Sequence, residues 1–117
     1  MVELDEFLAS RNPKALSLFL EFRAIVLSLG PVQERVHRTE VAWADQRVFA
    51  DAFTISDRLE VAIHLLRWVD HPQLLKAFPT TRKVMAHRLS ITAAGQLDHT
   101  IAALLAEALD TVGPGTR

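Results

Sequence analysis

The feature that most constrains this chain is a pair of stretches whose hydrophobic residues recur first with strand and then with helical spacing. Residues 47–68 read as two strands around a tight turn at Ser56-Asp57. Residues 83–109 read as one further strand that runs directly into a helix. Consecutive strands pair readily, and an amphipathic helix buries its apolar side against a sheet. The two stretches therefore predict an α+β fold, an antiparallel sheet backed by helices.

Size and composition favour one domain with its own core. The chain has 117 residues, and 50% of them are hydrophobic. It contains no cysteine, which excludes disulfides, thiolate zinc sites and cysteine nucleophiles. The N-terminus has no basic run like that of a signal peptide, and no apolar run approaches the ~20 residues that cross a bilayer. We expect a cytoplasmic domain that does not contact membranes. Its net charge of −1 disfavours strong nonspecific binding to nucleic acid.

The N-terminal part, residues 1–30, is predicted to be helical. A short helix over residues 2–9 precedes a longer one. Asn12 is the expected N-cap of the longer helix, Pro13 takes its first position, and Gly30-Pro31 ends it.

The longer helix carries two apolar stripes. One is the predicted core face, and Leu16, Leu20 and Leu27 fall on nearly the opposite side. Either residues 1–9 cover this second stripe, which we favour, or a second copy of the protein does. The chain is therefore expected to be a monomer or a homodimer through this helix.

The middle part, residues 32–91, is predicted to be a sheet of four to five strands. Leu59, Val61, Ile63 and Leu65 alternate along one strand and should face the helices. The segments with strand spacing are 33–39, 41–44, 47–54, 58–68 and 83–91.

Two further elements complete the expected chain. A short helical turn is expected from Asp70 to Phe78. Thr92 is the expected N-cap of a C-terminal helix within residues 92–112, and residues 113–117 should form a frayed tail. The whole chain is then a single domain, residues 1–117.

The stretch from Thr39 to Leu109 resembles a bacterial family of proteins, domain-of-unknown-function family 5655. The matching pieces are RTEVAWADQRVFADAF, DRLEVAIHLL and KVMAHRLSITAAGQLDHTIAALLAEAL. The family is distantly similar to YdhG-like proteins, which implies a frataxin-like sandwich with helices on one face of an antiparallel sheet. The resemblance implies no activity.

The frataxin analogy also raises the question of a metal site. Frataxin-like proteins bind iron through an acidic ridge on their first helix. Here that region offers only Glu3, Asp5, Glu6 and Glu21. Glu3 and Asp5 are not neighbours on a helix surface, and Glu6 lies more than four helical turns from Glu21. The five histidines show no spacing typical of a metal site, so we assign neither a metal nor a cofactor.

Two histidines of the sheet are candidate binding residues. His64 and Trp68 are expected together on the open face, where an imidazole beside an indole could stack on a ring-shaped ligand. His87 projects from the apolar side of the last strand. It is either a core residue with a hydrogen-bonded ring or a general acid or base.

The arginines of the sheet region have two interpretations. Arg38, Arg47 and Arg88, with Arg58 and Arg67, come from several strands or strand ends. They either converge on a phosphate or carboxylate, or they protect sheet edges from pairing with other chains.

Other residues carry no distinctive chemistry. Trp43, Phe49 and Phe53 are expected in the core, and Asp51 and Glu60 are too ordinary at strand positions to indicate an acid and base pair. A glycine-rich phosphate loop and a nucleophile elbow are both absent from the sequence.

These patterns favour a non-catalytic binding module that uses the open sheet face. The expected partner is a small anionic or aromatic molecule or another protein, with single-stranded nucleic acid less well supported. One alternative is an enzyme with His87 as acid or base, and the other is a structural dimerisation domain. No catalytic residue is assigned.

Overall fold

The computed structural model describes residues 2–115, which form helices on one side of a six-stranded sheet. In this range no helix is both long and apolar enough to cross a bilayer. The helices are α1 (Leu4–Leu8), α2 (Pro13–Ser28) and α3 (His99–Thr111). The strands are β1 (Gln33–Val36), β2 (Val41–Ala44), β3 (Val48–Ile55), β4 (Arg58–Leu65), β5 (Leu74–Pro79) and β6 (Met85–Ile91).

All neighbouring strands pair antiparallel, in the order β1-β2-β3-β4-β6-β5. Helices α2 and α3 both pack against β3 and β4 and touch each other, so they share one face of the sheet. The predicted α+β class and layering are confirmed, with one strand more than expected. Only the link from β4 to β5 passes a strand, because β6 lies between them.

The core lies between the helices and the inner face of β4. Leu59, Val61, Ile63 and Leu65 are all completely buried, as their two-residue alternation predicts. The turn between β3 and β4 is also where it was expected, and Ser56 adopts a left-handed φ of 55° there.

Helix α2 begins and ends as predicted. The Asn12 side-chain oxygen accepts the backbone N–H groups of Lys14 and Ala15 at 2.9 and 3.3 Å. After the helix, Gly30 has a φ of 139°, a conformation that suits glycine.

A partly buried carboxylate joins α2 to the sheet. Both oxygens of Glu34 accept from Arg23, at 2.8 and 3.0 Å. One of them also accepts the Trp43 ring N–H at 2.8 Å. The Trp43 ring is fully buried beside Phe19 and Phe22, so its single polar atom is paired.

The expected helical turn from Asp70 to Phe78 is wrong. Most of this segment is the edge strand β5, which pairs with β6. A bulge between Leu74 and Lys76 interrupts the two-residue alternation, so the sequence pattern did not show a strand. Pro79 is tolerated because it ends a strand at the sheet edge.

Helix α3 starts later than predicted. Thr92 is not its N-cap; instead, the Gln96 side chain accepts the N–H groups of Thr92 and Ala93 around a 3₁₀ turn. The cap is Asp98, whose carboxylate accepts from Thr100 and Ile101, both at 3.1 Å. Either residue fits the capping pattern, and the intervening turn decides between them.

The N-terminal segment does not cover the second stripe of α2, contrary to our preferred expectation. Leu20 and Leu27 remain 42% and 38% exposed, and Leu16 is half-buried. The reason is that Phe7 packs on Phe19, on the core side of α2, with 5.1 Å between the ring centroids.

The predicted frayed tail is wrong for residues 113–115. The buried carbonyl of Gly113 accepts the N–H groups of Gln46 and Arg47 at 2.8 and 3.0 Å, and Gly115 donates to Val112. This segment is therefore bonded to the turn between β2 and β3. Residues 116 and 117 lie outside the described range.

Candidate functional site

The sheet face opposite α2 and α3, here called the open face, carries a charged cluster around Ala62. Register places Asp51 of β3 on one side of Ala62 and Arg88 of β6 on the other. Glu60 and His64 flank Ala62 along β4 and point the same way. Together with Arg58, these four side chains are called the Ala62 cluster. Ala62 itself is only 1% exposed, because its neighbours close over it.

Glu60 is the most buried charged group of the cluster. One of its oxygens accepts from Arg58 Nη1 at 2.7 Å, and the same nitrogen lies 3.2 Å from Ser90 Oγ. Its other oxygen is 3.8 Å from Arg88 Nη1. A carboxylate this buried needs compensating charge. Two guanidinium groups around one carboxylate leave an excess positive charge at this point.

Arg88 has donors that the protein does not use. Its guanidinium forms no hydrogen bond within residues 2–115, although its side chain is only 25% exposed. The group is positioned by the ion pair with Glu60 and by the ring of Phe53, with 5.4 Å between the guanidinium carbon and the ring centroid. A partly buried arginine with free donors is well placed to bind an oxygen-rich ligand.

On the other side of Ala62, Asp51 and His64 approach each other. The distance between Oδ2 and Nε2 is 3.7 Å, and both side chains are largely buried. The pair is an ion pair only when His64 is protonated. With a neutral imidazole, this half of the cluster carries the single negative charge of Asp51.

The strands give the open face a positive charge. The face has four basic side chains, Arg35, Arg58, Lys76 and Arg88, against two carboxylates, Asp51 and Glu60. Four cations less two anions leave +2 on a chain whose net charge is −1. The open face is thus locally attractive to anions.

His87 lies on the opposite face of the sheet and has a structural environment. It is 3% exposed, its Nε2 accepts the Val69 N–H at 2.9 Å, and its Nδ1 lies 3.1 Å from the Met85 carbonyl. Burial lowers the pKa of the ring, so the neutral form is favoured. The adjoining apolar cavity encloses only about 10 Å³, about the minimum for one water. A substrate cannot reach this ring without local opening.

The expected pairing of His64 with Trp68 on the open face stays a prediction. Trp68 lies beyond the end of β4, which stops at Leu65. Arg67 donates to Glu107 of α3, and the Val69 N–H donates to buried His87. Both neighbours of Trp68 therefore bond on the helix side of the sheet, and Trp68 itself is 58% exposed.

The remaining sequence-predicted arginines do not converge. Arg38 lies in the turn between β1 and β2, and Arg47 lies in the turn at the other end of β2. The carbonyl of Arg38 accepts from Arg11, and the Arg47 N–H donates to Gly113. Of the six predicted binding residues, the structure brings together His64 and Arg88.

Sequence reasoning set aside two carboxylates that the fold brings to the site. Asp51 and Glu60 are nine residues apart in sequence, yet they flank the same alanine. Phe53, expected in the core, is half-buried on the open face beside Arg88. Pairing the residues of β3 and β4 outward from the Ser56-Asp57 turn would have predicted that all three side chains lie on the open face.

Larger cavities lie at one end of the fold. One of about 420 Å³ includes Gln33 and Arg35, and an adjoining one of about 400 Å³ includes Leu109 and Asp110. Both cavities reach Asp45. Their carboxylates are exposed and resemble ordinary solvated surface. The partly buried charges of the Ala62 cluster are the more distinctive chemistry.

The comparison with protein families finds one family model that covers nearly the whole described chain. A family model described as a domain of unknown function, DUF5655, matches residues 4–112. The chain belongs to the DUF5655 family. The match covers every helix and strand, including the Ala62 cluster. No curated protein and no solved structure matches the chain. Membership of DUF5655 therefore defines the domain, and the reasoning about function rests on the side chains. Within residues 2–115, no group of three potential ligands is placed to hold a metal ion.

Proposed function

We propose that this domain is a non-catalytic binding module and that its binding surface is the open face around Ala62. The observation that carries the proposal is the Ala62 cluster, in which five charged or titratable side chains converge on one alanine without forming a closed set of hydrogen bonds. Buried polar groups that serve structure alone are normally fully paired. Donors that remain unused at a partly buried site are available to a ligand.

The layering of the fold supports the same surface. The helices occupy one face of the sheet, and a small molecule can bind the other without displacing any part of the described chain. Arginine and phenylalanine side chains on this face suit anionic and aromatic groups.

Binding is favoured over catalysis because the acid or base of the enzymatic alternative is His87. That ring is buried, and both of its nitrogens are close to backbone partners. A general base must come within hydrogen-bond reach of the substrate proton. The proposal therefore omits His87 and retains His64 and Arg88.

We also propose that the domain works in the cytoplasm and is distantly related to YdhG-like proteins. A sequence without cysteine suits a reducing compartment. Helices on one face of an antiparallel sheet support the more distant relationship.

The test is a ligand-observed NMR screen of small anionic and aromatic fragments against three proteins: the wild type, His64→Ala and His99→Ala. His64 belongs to the Ala62 cluster, whereas His99 is exposed at the start of α3. We expect fragment signals with the wild type that weaken with His64→Ala and persist with His99→Ala. A screen without hits, or hits that His64→Ala leaves unchanged, would contradict the proposal.

A further inference from the structure

The open face carries two groups of charged side chains with different partners. Asp51 lies beside His64, whereas Glu60 lies between Arg58 and Arg88. Lys76 is also paired with Arg88 across β5 and β6, whereas Asp51, the carboxylate of the same row, lies on the far side of Ala62 beside His64. The positive charge is therefore concentrated on the β6 side of Ala62.

The two guanidinium groups differ in how firmly the protein holds them. Arg58 hydrogen-bonds to Glu60 and Ser90 through one terminal nitrogen, Nη1. Arg88 has only the longer contact of 3.8 Å to Glu60 and its position beside the Phe53 ring. Both side chains are partly exposed, 31% for Arg58 and 25% for Arg88. Each thus has N–H groups that reach solvent from a fixed position.

We infer that the ligand of the open face carries an oxyanion, either a phosphate or a carboxylate, which binds to the guanidinium groups of Arg58 and Arg88. A guanidinium presents a planar fork of donors that matches two oxygens of such a group. Glu60 occupies part of this donor set in the unliganded protein and holds the two arginines together. This inference rests on the proposed function and specifies its ligand.

The position of Glu60 predicts that its substitution increases the affinity for an anion. Its carboxylate competes with an incoming anion for the same two cations. Glu60→Gln keeps the size of the side chain and an oxygen for Arg58 but removes the competing charge. The substitution should therefore strengthen anion binding, whereas most substitutions in a binding site weaken it.

The experiment is a titration of ¹⁵N-labelled protein with inorganic phosphate and, separately, with sodium acetate at constant ionic strength. The signals of the Arg58 and Arg88 side-chain Nε–H groups report binding directly. The wild type should bind at least one of the two anions, and the stronger of them identifies the ligand group. Glu60→Gln should lower the dissociation constant by about threefold to tenfold, because one opposing charge is removed at short range.

Two variants separate a specific site from general attraction. Asp51→Asn removes the same charge from the same face, but Asp51 lies across Ala62 from Arg88 and beside His64. Its effect should be clearly smaller than that of Glu60→Gln. Arg88→Lys keeps the charge and loses the planar fork, and it should weaken binding by about tenfold.

Three results would overturn the inference. The first is that neither the wild type nor Glu60→Gln binds phosphate or acetate. The second is that Asp51→Asn and Glu60→Gln increase the affinity equally, and the third is that Arg88→Lys leaves the affinity unchanged. Any of them would leave the proposed function standing if uncharged fragments still bind in a His64-dependent manner. If neither the anions nor the uncharged fragments bind in this way, the open face is not a binding surface.

Discussion

Arg88 of β6 and Glu60 of β4 are diagonal neighbours with 3.8 Å between Nη1 and Oε1, which is too far for a hydrogen bond. On the helix side of the same sheet, Glu34 accepts two hydrogen bonds from Arg23, at 2.8 and 3.0 Å. The pair on the helix side has its charges and hydrogen bonds matched, as expected of a structural contact. The pair on the open face does not, and this contrast is why we assign binding to that face.

The core side of β4 is expected to dominate the stability of the domain. Ile63 is completely buried, and its replacement by alanine should lower the free energy of unfolding by about 2–5 kcal/mol. Ile55, at the end of β3, is 41% exposed, and Ile55→Ala should cost less than about 1 kcal/mol. Urea denaturation of both variants checks the difference. Equal losses would mean that the two faces are assigned incorrectly.

The C-terminal turn should be intolerant of a side chain at Gly113. A Cβ there would lie within 2.3 Å of the Leu109 carbonyl oxygen, so the backbone would have to shift. We expect Gly113→Ala to lower the free energy of unfolding by about 1–3 kcal/mol. Gly95→Ala is the control, because a Cβ at that position meets nothing within 4 Å. A Gly113 variant as stable as the Gly95 variant would contradict this close approach.

How much of this could be predicted from the sequence depended on whether a local pattern continued without interruption. The alternation along β4 and the Asn12 cap were predicted correctly because each depends on neighbouring residues alone. The bulge in β5 interrupts the alternation, and the strand was missed for that reason. Asp51 and Glu60 appeared ordinary because their proximity depends on pairing between strands. The Ala62 cluster can therefore be recognised only when the register between the strands is known.

The buried ring of His87 should make stability depend on pH. Burial lowers its pKa in the folded protein, so the unfolded chain, with a histidine pKa near 6.5, binds the proton more readily. Stability is therefore lost as the pH falls below about 6.5 and is regained as it rises. The ring also loses its ability to accept the Val69 N–H once Nε2 is protonated.

The measurement compares the free energy of unfolding at about pH 7.5 and about pH 5.5 for the wild type and His87→Gln. The wild type should lose more stability over this interval than the variant, because glutamine does not titrate. Nearby Arg67 and His64 act in the same direction as burial. Glu107, whose own pKa is lowered by Arg67 and His87, is the opposing charge. Parallel losses in the two proteins would rule out His87 as the titrating group.

The exposed leucines of α2 are not expected to form a dimer interface. Leu20 and Leu27 are two helical turns apart and only about two-fifths exposed. A patch of this size is common on monomeric proteins. Light scattering should give a monomeric mass for both the wild type and Leu20→Glu. A dimeric wild type that Leu20→Glu converts into a folded monomer would instead support an interface through this helix.

The most direct test of the central claim is a crystal structure of the protein as purified, followed by a soak of the same crystals in phenyl phosphate. The account predicts ligand density over Ala62, with an oxygen within hydrogen-bond distance of the Arg88 guanidinium. Density in the cavities around Asp45, with only ordered water on the open face, would contradict the claim that the open face is the binding surface.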